Sequence, residues 1–557
     1  MQKISSAFSL PLYTVAQTRH IEQQAAAALS PHQLMQRAGL SVARLTLALA
    51  PHARCIWIAC GPGNNGGDGF EAALNLHRWG KTVVVTWTGV PLDKSDISHP
   101  AIDAYASRQR AIAAGVNISG EPPHDFDFCI DALLGIGGVM TSRRSEMNCI
   151  QLWLEVMHAS RAPRLAVDIA SGLNDDTGQS TFLSTTTKTT TKRDRIHHPK
   201  SLFTLSLLTL KPGLFMAQGR DCSGEIWFDD LEVDASTLQT PDTWLLGADR
   251  ASPQPKIEAA HAAHKGTFGD VAIVGGESTR DSDMSGAALL AARAALHAGA
   301  GRVFVALLND AISEALSDAL GDALNDASRA AGYTNLRHDS LQPELMFRHP
   351  AALDLKHQVV VCGCGGGEAV KKILPHVLTM ATRLVLDADA LNAIATDPEL
   401  QTLLQARNTR GNSNSNSNSN SNSNSTVLTP HPLEAARLLG ITTAEVQLNR
   451  LKAAHTLAEK FQCAVVLKGS GTVISANQKT SYVNYTGNAL LATPGTGDVL
   501  AGMVGAYWAK GLDGFDAACE AVFTHGHRAD VWAVSKPDQA LTAGLLATFS
   551  GTAVPTI

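Results

Sequence analysis

Six residues, Cys55 to Cys60 (CIWIAC), run directly into Gly61 to Gly69 (GPGNNGGDG), and helical spacing takes over from Phe70 to Trp79. A buried strand, a glycine-rich turn and a helix in that order commit the chain to an α/β fold with a ligand near the turn. The glycines let the backbone approach that ligand, and the helix N-terminus aims amide N–H groups at an anion. Asn64, Asn65 and Asp68 add side-chain oxygens and amides that an ordinary glycine-rich phosphate loop lacks. A tight structural turn without a ligand is the alternative.

The same alternation fills the front half. Thr82 to Thr86 (TVVVT), Phe126 to Ile130 and Leu165 to Ile169 are compact enough for buried strands, and Glu146 to His158 has helical spacing. Strands and helices in alternation predict a parallel sheet covered on both faces, with ligands at the carboxyl ends of its strands. After a polar, proline-containing stretch around Gly247 to Glu258 the rhythm restarts. Strands are expected at Val271 to Val274, Val303 to Leu307, Gln358 to Val361, Leu384 to Leu386 and Ala464 to Leu467, with a long helix over Gly286 to Ala298. At 557 residues the chain is too long for one ordinary core and calls for two or three domains; the restarted rhythm places two, residues 1–245 and 246–557. Ser184 to Lys192 (STTTKTTTK), with the basic run ending at Lys200, and the Asn-Ser repeat Asn412 to Ser425 are too polar to offset their ordering entropy. Both are expected to be surface insertions.

Hydrophobic residues at 45% and charged residues at 17% fit a globular protein. A formal net charge of −6 argues against a nucleic-acid partner, which needs a basic face. Small anionic ligands stay open, since backbone amides bind phosphate whatever the global charge. No apolar run is long enough to span a membrane, and the N-terminus lacks a secretory signal's apolar core, so a cytoplasmic location is expected. The nine cysteines are odd in number and scattered, which does not suggest a disulfide framework. Cys362 and Cys364 have no second pair at zinc spacing and are expected in a tight glycine-rich turn.

The front-half motifs resemble the YjeF N-terminal family, the NAD(P)H-hydrate epimerases. Beside Gly61 to Gly69, the resemblance rests on Arg19-His-Ile-Glu22, Leu34-Met35 and Ala38-Gly39, then Asp131-Ala-Leu-Leu-Gly-Ile-Gly137. It continues through Val167-Asp-Ile-Ala-Ser-Gly-Leu173, Asp176-Thr-Gly178 and Leu210-Lys-Pro-Gly213. It implies a Rossmann-like three-layer α/β/α domain. It also implies that Asn64, Asn65, Gly66, Gly67 and Asp68 contact the hydrated nucleotide. Gly135, Ile136, Gly137, Gly138, Val139, Met140 and Thr141 would hold its phosphate, and Asn65, Asp131 and Ser171 would ligate a potassium ion (K+). Asp168, at a strand end, would contact substrate and move the proton at the epimerised centre; a merely structural aspartate is the alternative. Ala170 stands where the family commonly has proline, and the threonine-rich insertion precedes the last strand.

In the rear half, Thr493-Pro-Gly-Thr-Gly-Asp-Val-Leu-Ala-Gly502 sets glycines and an aspartate at the start of an apolar helix. Amides there stabilise phosphoryl oxygens while Asp498 accepts a proton from a hydroxyl; a simple helix cap is the alternative. With His264-Lys-Gly-Thr-Phe-Gly-Asp270, Ser285-Gly-Ala-Ala288, Gly363 to Gly367, Asp387-Ala-Asp-Ala-Leu-Asn392, Thr429-Pro-His-Pro432 and Lys468-Gly-Ser-Gly-Thr472, this order resembles the ADP-dependent NAD(P)H-hydrate dehydratases. The resemblance implies a ribokinase-like α/β domain in which Lys468, Gly469, Ser470, Gly471, Thr472 and Gly497 bind ADP. Ala287, Gly365, His431 and Asp498 would contact the hydrate, and magnesium (Mg2+) would bridge the nucleotide phosphates. His431 between two prolines has a structural turn as its alternative. Leu433, Cys364 and Pro494 depart from the family's usual glycine, proline and glycine.

Together the two resemblances imply a repair enzyme for hydrated NADH and NADPH (NADHX and NADPHX). One domain would epimerise the R and S forms, and the other would return the S form to NAD(P)H, with ADP going to AMP and phosphate. A homo-oligomer is expected on such folds. Two rival readings are a vitamin-precursor kinase, which shares the Gly-Thr-Gly-Asp helix start, and a front domain that is only a binding scaffold.

Overall fold

The structure is a computed structural model that describes residues 1–89, 102–137, 144–181, 201–251, 261–279, 281–309, 338–413 and 425–549. Gly138, Val139, Met140 and Thr141, the threonine-rich segment Ser184 to Lys192 and most of the Asn-Ser repeat lie outside the described residues. The chain forms two compact units, Met1–Ser5 with Leu10–Trp244, and Ser6–Ser9 with Leu245–Ile557. Ser6–Ser9 belongs with the second unit because its backbone and the Ser9 hydroxyl bond to Gly247, Ala248 and Asp249.

Among the described residues the main sheet of the first unit has eight strands. Their order is Gln2–Lys3, Glu225–Asp229, Leu202–Leu207, Arg164–Val167, Phe128–Ala132, Cys55–Cys60, Thr82–Trp87, Asn117–Ser119. Apart from the antiparallel edge strand Gln2–Lys3, every pair is parallel. The chain direction across the sheet reverses between Cys55–Cys60 and Phe128–Ala132, which opens a crevice beyond their carboxyl ends. Both faces are covered. Ile56, Ile58, Ile130 and Val167 pack with Val42, Leu45 and Leu76 from helices Gln33–Leu49 and Asn64–Arg78. Trp57, Ala59 and Cys129 pack with Trp153, Leu154 and Met157 from helix Arg144–Ala159. This is the three-layer arrangement expected.

One boundary needs correcting. Helical spacing starts at Phe70, yet the helix begins at Asn64, so the second half of the glycine-rich run is its first two turns. Five glycines in nine residues read locally as a loop, because glycine is a poor helix former. Tertiary packing overrides this: a Cβ on Gly66 would sit 2.0 Å from the Gly61 carbonyl oxygen, and one on Gly69 2.7 Å from Cys60 Sγ. The glycines let the helix press onto its own strand. Gly66→Ala is expected to destabilise the first unit by about 1–3 kcal/mol or more, read by denaturant unfolding; an unchanged midpoint would contradict this packing role.

Nine strands of the second unit repeat the plan. Their order is Met346–Phe347, Arg302–Asn309, Asp270–Ser278, Val359–Cys362, Arg383–Leu386, Thr426–Leu428, Ala464–Leu467, Val473–Ser475, Ser481–Asn484. The first seven are parallel and the last two antiparallel. Here the direction reverses between Asp270–Ser278 and Val359–Cys362. Val271, Val305, Val361 and Val385 share a core with Ala291 and Ala295 of helix Ser285–His297 and with Val499 and Met503 of helix Thr496–Ala509. Small residues allow these helices close contact: a Cβ on Gly502 would fall 2.0 Å from the Ala291 carbonyl oxygen.

Candidate active sites

In the first unit a cavity of about 780 Å³ opens at the crevice. Asn64, Asn65 and Asp68 reach it from the helix after Cys55–Cys60, Gly135, Ile136 and Gly137 from the loop after Phe128–Ala132, and Asp168 from the turn after Arg164–Val167. Gly66 and Gly67 are not among its walls. Gly66 abuts Gly61, and a Cβ on Gly67 would lie 2.6 Å from Met35 Sδ.

Asp168 has a left-handed backbone, φ 66°, a region aspartate enters more readily than most residues. The twist turns its carboxylate back toward the next strand. It accepts the Leu207 N–H at 3.0 Å and pairs with the Lys211 ammonium. Lys211 is fully buried and also donates to the Leu207 and Thr209 carbonyls at 2.8 and 2.9 Å. Burial, together with the charges of Asp168 and Glu22, pushes the Asp68 carboxyl well above the usual range. Asp175 is pushed up to about 6 by burial, and it accepts the Gly137 N–H at 3.0 Å. It thereby pins the loop that the cavity uses.

Beside the cavity, Asp131, Ser171 and Asn65 are all buried. The Ser171 hydroxyl donates to Asp131 Oδ1 at 2.6 Å, its N–H meets Oδ2 at 3.1 Å, and the Leu134 N–H meets the Ser171 hydroxyl at 2.9 Å. Both polar atoms of the Asn65 side chain lack a hydrogen-bond partner. A buried amide left so is costly, and a cation would satisfy its oxygen.

In the second unit Asp498 occupies the third position of helix Thr496–Ala509, behind Gly495 at φ 91°. The helix start leaves backbone N–H groups free for an anion. Asp498, Asp387 and Cys364 bring their ligand atoms within 4.8 Å of one another. Burial first, then the charge of Asp387, raises Asp498 to about 7, while a hydrogen bond from the Cys364 thiol favours its ionised form. The Cys364 thiol is itself pushed far up by burial and by Asp498 and Asp387. Asp387 accepts the Lys468 ammonium at 2.7 Å and the Thr429 hydroxyl at 2.8 Å. Burial works against the Lys468 charge, but Asp387 and Glu434 outweigh it and raise its pKa.

The Lys468 to Thr472 turn follows strand Ala464–Leu467, and Gly497 faces it: a Cβ there would be 3.2 Å from Lys468 Nζ. Ala287 and Gly365 adjoin, since a Cβ on Gly365 would be 2.9 Å from that of Ala287. His431 caps helix Pro432–Leu439. Its Nδ1 accepts the Leu433 and Glu434 N–H groups at 3.1 and 3.3 Å, and its Nε2 lies 3.3 Å from Glu434. The turn role foreseen as its alternative is therefore filled, with only Nε2 left toward any ligand.

Several residues that shape these sites are not legible as such in the sequence. Lys211 was only a motif letter. Arg450, 1% exposed, donates to the carbonyls of Leu467, Lys468 and Gly471 at 3.1, 3.2 and 3.4 Å and so grips the Lys468 to Thr472 turn from inside. His525, lowered to about 4 by burial, is neutral and donates to the Thr496 carbonyl at 3.0 Å, bracing the Asp498 helix. No local pattern marks either one.

Two family models match the chain: one described as YjeF-related protein N-terminus over residues 31–213, and one described as NAD(P)H-hydrate dehydratase over 271–549. The chain is 32% identical over 539 residues to the bifunctional NAD(P)H-hydrate repair enzyme Nnr of Escherichia coli K12, covering 93% of this chain and 88% of that one. It is 39% identical over 294 residues to the ADP-dependent (S)-NAD(P)H-hydrate dehydratase of Neisseria meningitidis, covering 52% and 84%. A crystal structure of ADP/ATP-dependent NAD(P)H-hydrate dehydratase from Bacillus subtilis, co-crystallised with ATP/Mg2+, matches at 27% identity and a TM-score of 0.38, covering 52% and 89%.

Proposed function

The chain belongs to the bifunctional NAD(P)H-hydrate repair enzymes, and from that premise we propose how its two units divide the work. It joins an NAD(P)H-hydrate epimerase to an ADP-dependent dehydratase. The proposed substrates are NADHX and NADPHX, whose hydroxyl sits on the ring carbon next to nitrogen. The nicotinamide nucleotide pool then sets the proposed location, the cytoplasm.

In the dehydratase, Asp498 takes the proton from the hydrate's hydroxyl as its oxygen attacks the β-phosphorus of ADP. AMP leaves, the new phosphate ester departs from the ring as phosphate, and loss of the neighbouring C–H proton restores the double bond. A free hydroxide is a poor leaving group, whereas phosphate is a good one. Lys468 and the Lys468 to Thr472 turn bind the nucleotide, and the backbone N–H of Gly497 at the helix start steadies the transferring phosphoryl group. Magnesium bound with ADP would neutralise phosphate charge near Asp387 and Asp498, whose oxygens suit it. The observation that carries this reading is Asp498 itself, a carboxyl poised near neutrality at the start of an anion-binding helix.

In the epimerase, Asp168 handles proton transfer at the epimerised centre, Asn64 and Asp68 meet the substrate, and the Gly135 to Gly137 backbone takes up its phosphate. Asn65, Asp131 and Ser171 would hold a potassium ion: one carboxylate and two neutral oxygens suit a singly charged hard cation, and Asn65 is otherwise unpartnered. Bound there, the ion supplies fixed positive charge beside an anionic ligand. Asn65→Leu is expected to weaken the potassium response of epimerisation by about 10–100-fold, read as the KCl concentration giving half the maximal rate. An unaltered potassium titration would contradict the assignment.

The kinase alternative shares every step up to phosphoryl transfer and differs in where the phosphate ends. The test is the stoichiometry with purified S hydrate, ADP and Mg2+. NADH, AMP and free phosphate formed in equal amounts support repair; phosphate retained on the substrate would make the second unit a kinase. A homo-oligomer is proposed as well, and light scattering of the full chain tests it.

A further inference from the structure

We infer that Glu22 is the second proton-handling group of the epimerase, acting as a pair with Asp168; this rests on the epimerase reading of the first unit. Glu22 lies on helix Val15–Ala28, whose residues Thr18, Glu22 and Ala26, spaced by four, line the same cavity as Asp168. Its carboxyl hydrogen-bonds the Asn64 side chain, which ties it to the substrate-facing helix start. Burial and the negative charge of Asp168 favour the protonated form of Glu22, with Lys211 and Arg19 opposing. Asp168 has the Lys211 ammonium directly on its carboxylate. The cavity therefore sets a carboxyl that burial holds toward its protonated form and a carboxyl paired with an ammonium on its walls, from two different elements.

Inversion at the hydroxyl-bearing carbon needs such a pair. Glu22 gives its proton to the departing hydroxyl; the C–O bond breaks with its electron pair on oxygen, water leaves, and the ring-nitrogen lone pair forms a C=N bond. A water on the other face then bonds to that carbon and loses a proton to Asp168. One water leaves and one adds, and the proton spent by Glu22 is matched by the one Asp168 gains. In the reverse direction the roles exchange. Asp68 also lines the cavity, but burial pushes its carboxyl well above the usual range, and a donor works best when its pKa is near the operating pH.

The test uses the full chain with KCl and the R hydrate, without ADP so that the second unit is silent, and follows S formation by chromatography. Glu22→Gln is expected to lower kcat by about 100-fold or more with KM little changed and an unchanged denaturant midpoint for the first unit, which together control for its folding, while dehydration of the S hydrate by the second unit with ADP and Mg2+ stays at wild-type rate. In water enriched in oxygen-18, the wild type is expected to deposit one solvent oxygen per inversion. Glu22→Gln at the wild-type rate, or inversion with the original oxygen retained, would overturn the inference. A wild type that fails to interconvert the epimers would instead remove the epimerase reading beneath it.

Discussion

Asp498→Asn leaves the second unit folded and lowers its kcat/KM on the S hydrate by about 10²–10⁴-fold. Asparagine keeps the shape and the third helix position but cannot take a proton from the attacking hydroxyl. The charge itself is not needed for the fold, since Asp498 is only half in the ionised form near neutrality, with its pKa at about 7. That pKa also sets the pH profile. A carboxyl raised by burial and by Asp387 is protonated and inactive as a base below about 7, and ionised and active above it. The dehydration rate should accordingly rise with pH through about 7 and then level off. A flat profile across neutrality, or an Asp498→Asn enzyme at the wild-type rate, would contradict the assigned role.

Lys211→Met is expected to cost the first unit about 3–5 kcal/mol. The ammonium is fully buried and touches Asp168 and the carbonyls of Leu207 and Thr209. Removing it strands a carboxylate in the interior and leaves those carbonyls with a lost donor. The loss is measured on the full chain by denaturant unfolding, following tryptophan fluorescence, since six of the eight tryptophans lie in the first unit. A drop below about 1 kcal/mol, the range of an exposed ion pair, would show that the pair is not load-carrying. Asp168→Asn should spare more of the stability, because asparagine tolerates the left-handed backbone, while epimerisation is lost.

Much of the architecture is legible because its strands are short, apolar and buried on both faces. Cys55–Cys60 and Ala464–Leu467 stand out for that reason. Leu202–Leu207 follows a polar insertion, Thr426–Leu428 follows the Asn-Ser repeat with only three residues, and Ser481–Asn484 is half polar, so periodicity does not isolate them. The start of the helix at Asn64 was hidden by its glycines, whose purpose is contact with a neighbouring strand rather than local propensity. The sites divide the same way. Residues beside glycine-rich turns, such as Asp68 and Asp498, are visible as motifs. Lys211 lies 43 residues from its partner Asp168, and Arg450 grips carbonyls about 17 to 21 residues away. Such pairings are made by the fold, and no local spacing records them.

The central claim is that one chain carries both activities, so the decisive substrate is the R hydrate alone. The full chain is incubated with R-NADHX, ADP, Mg2+ and KCl, and NADH absorbance is followed beside Asp168→Asn and Asp498→Asn. The account predicts full recovery by the wild type and, in the same time, only a trace by Asp498→Asn. Asp168→Asn should recover NADH only at the slow spontaneous rate of epimerisation, a block relieved when separately added wild-type first-unit activity is supplied by the Asp498→Asn chain. A wild type that restores the S form but leaves the R form untouched would contradict it.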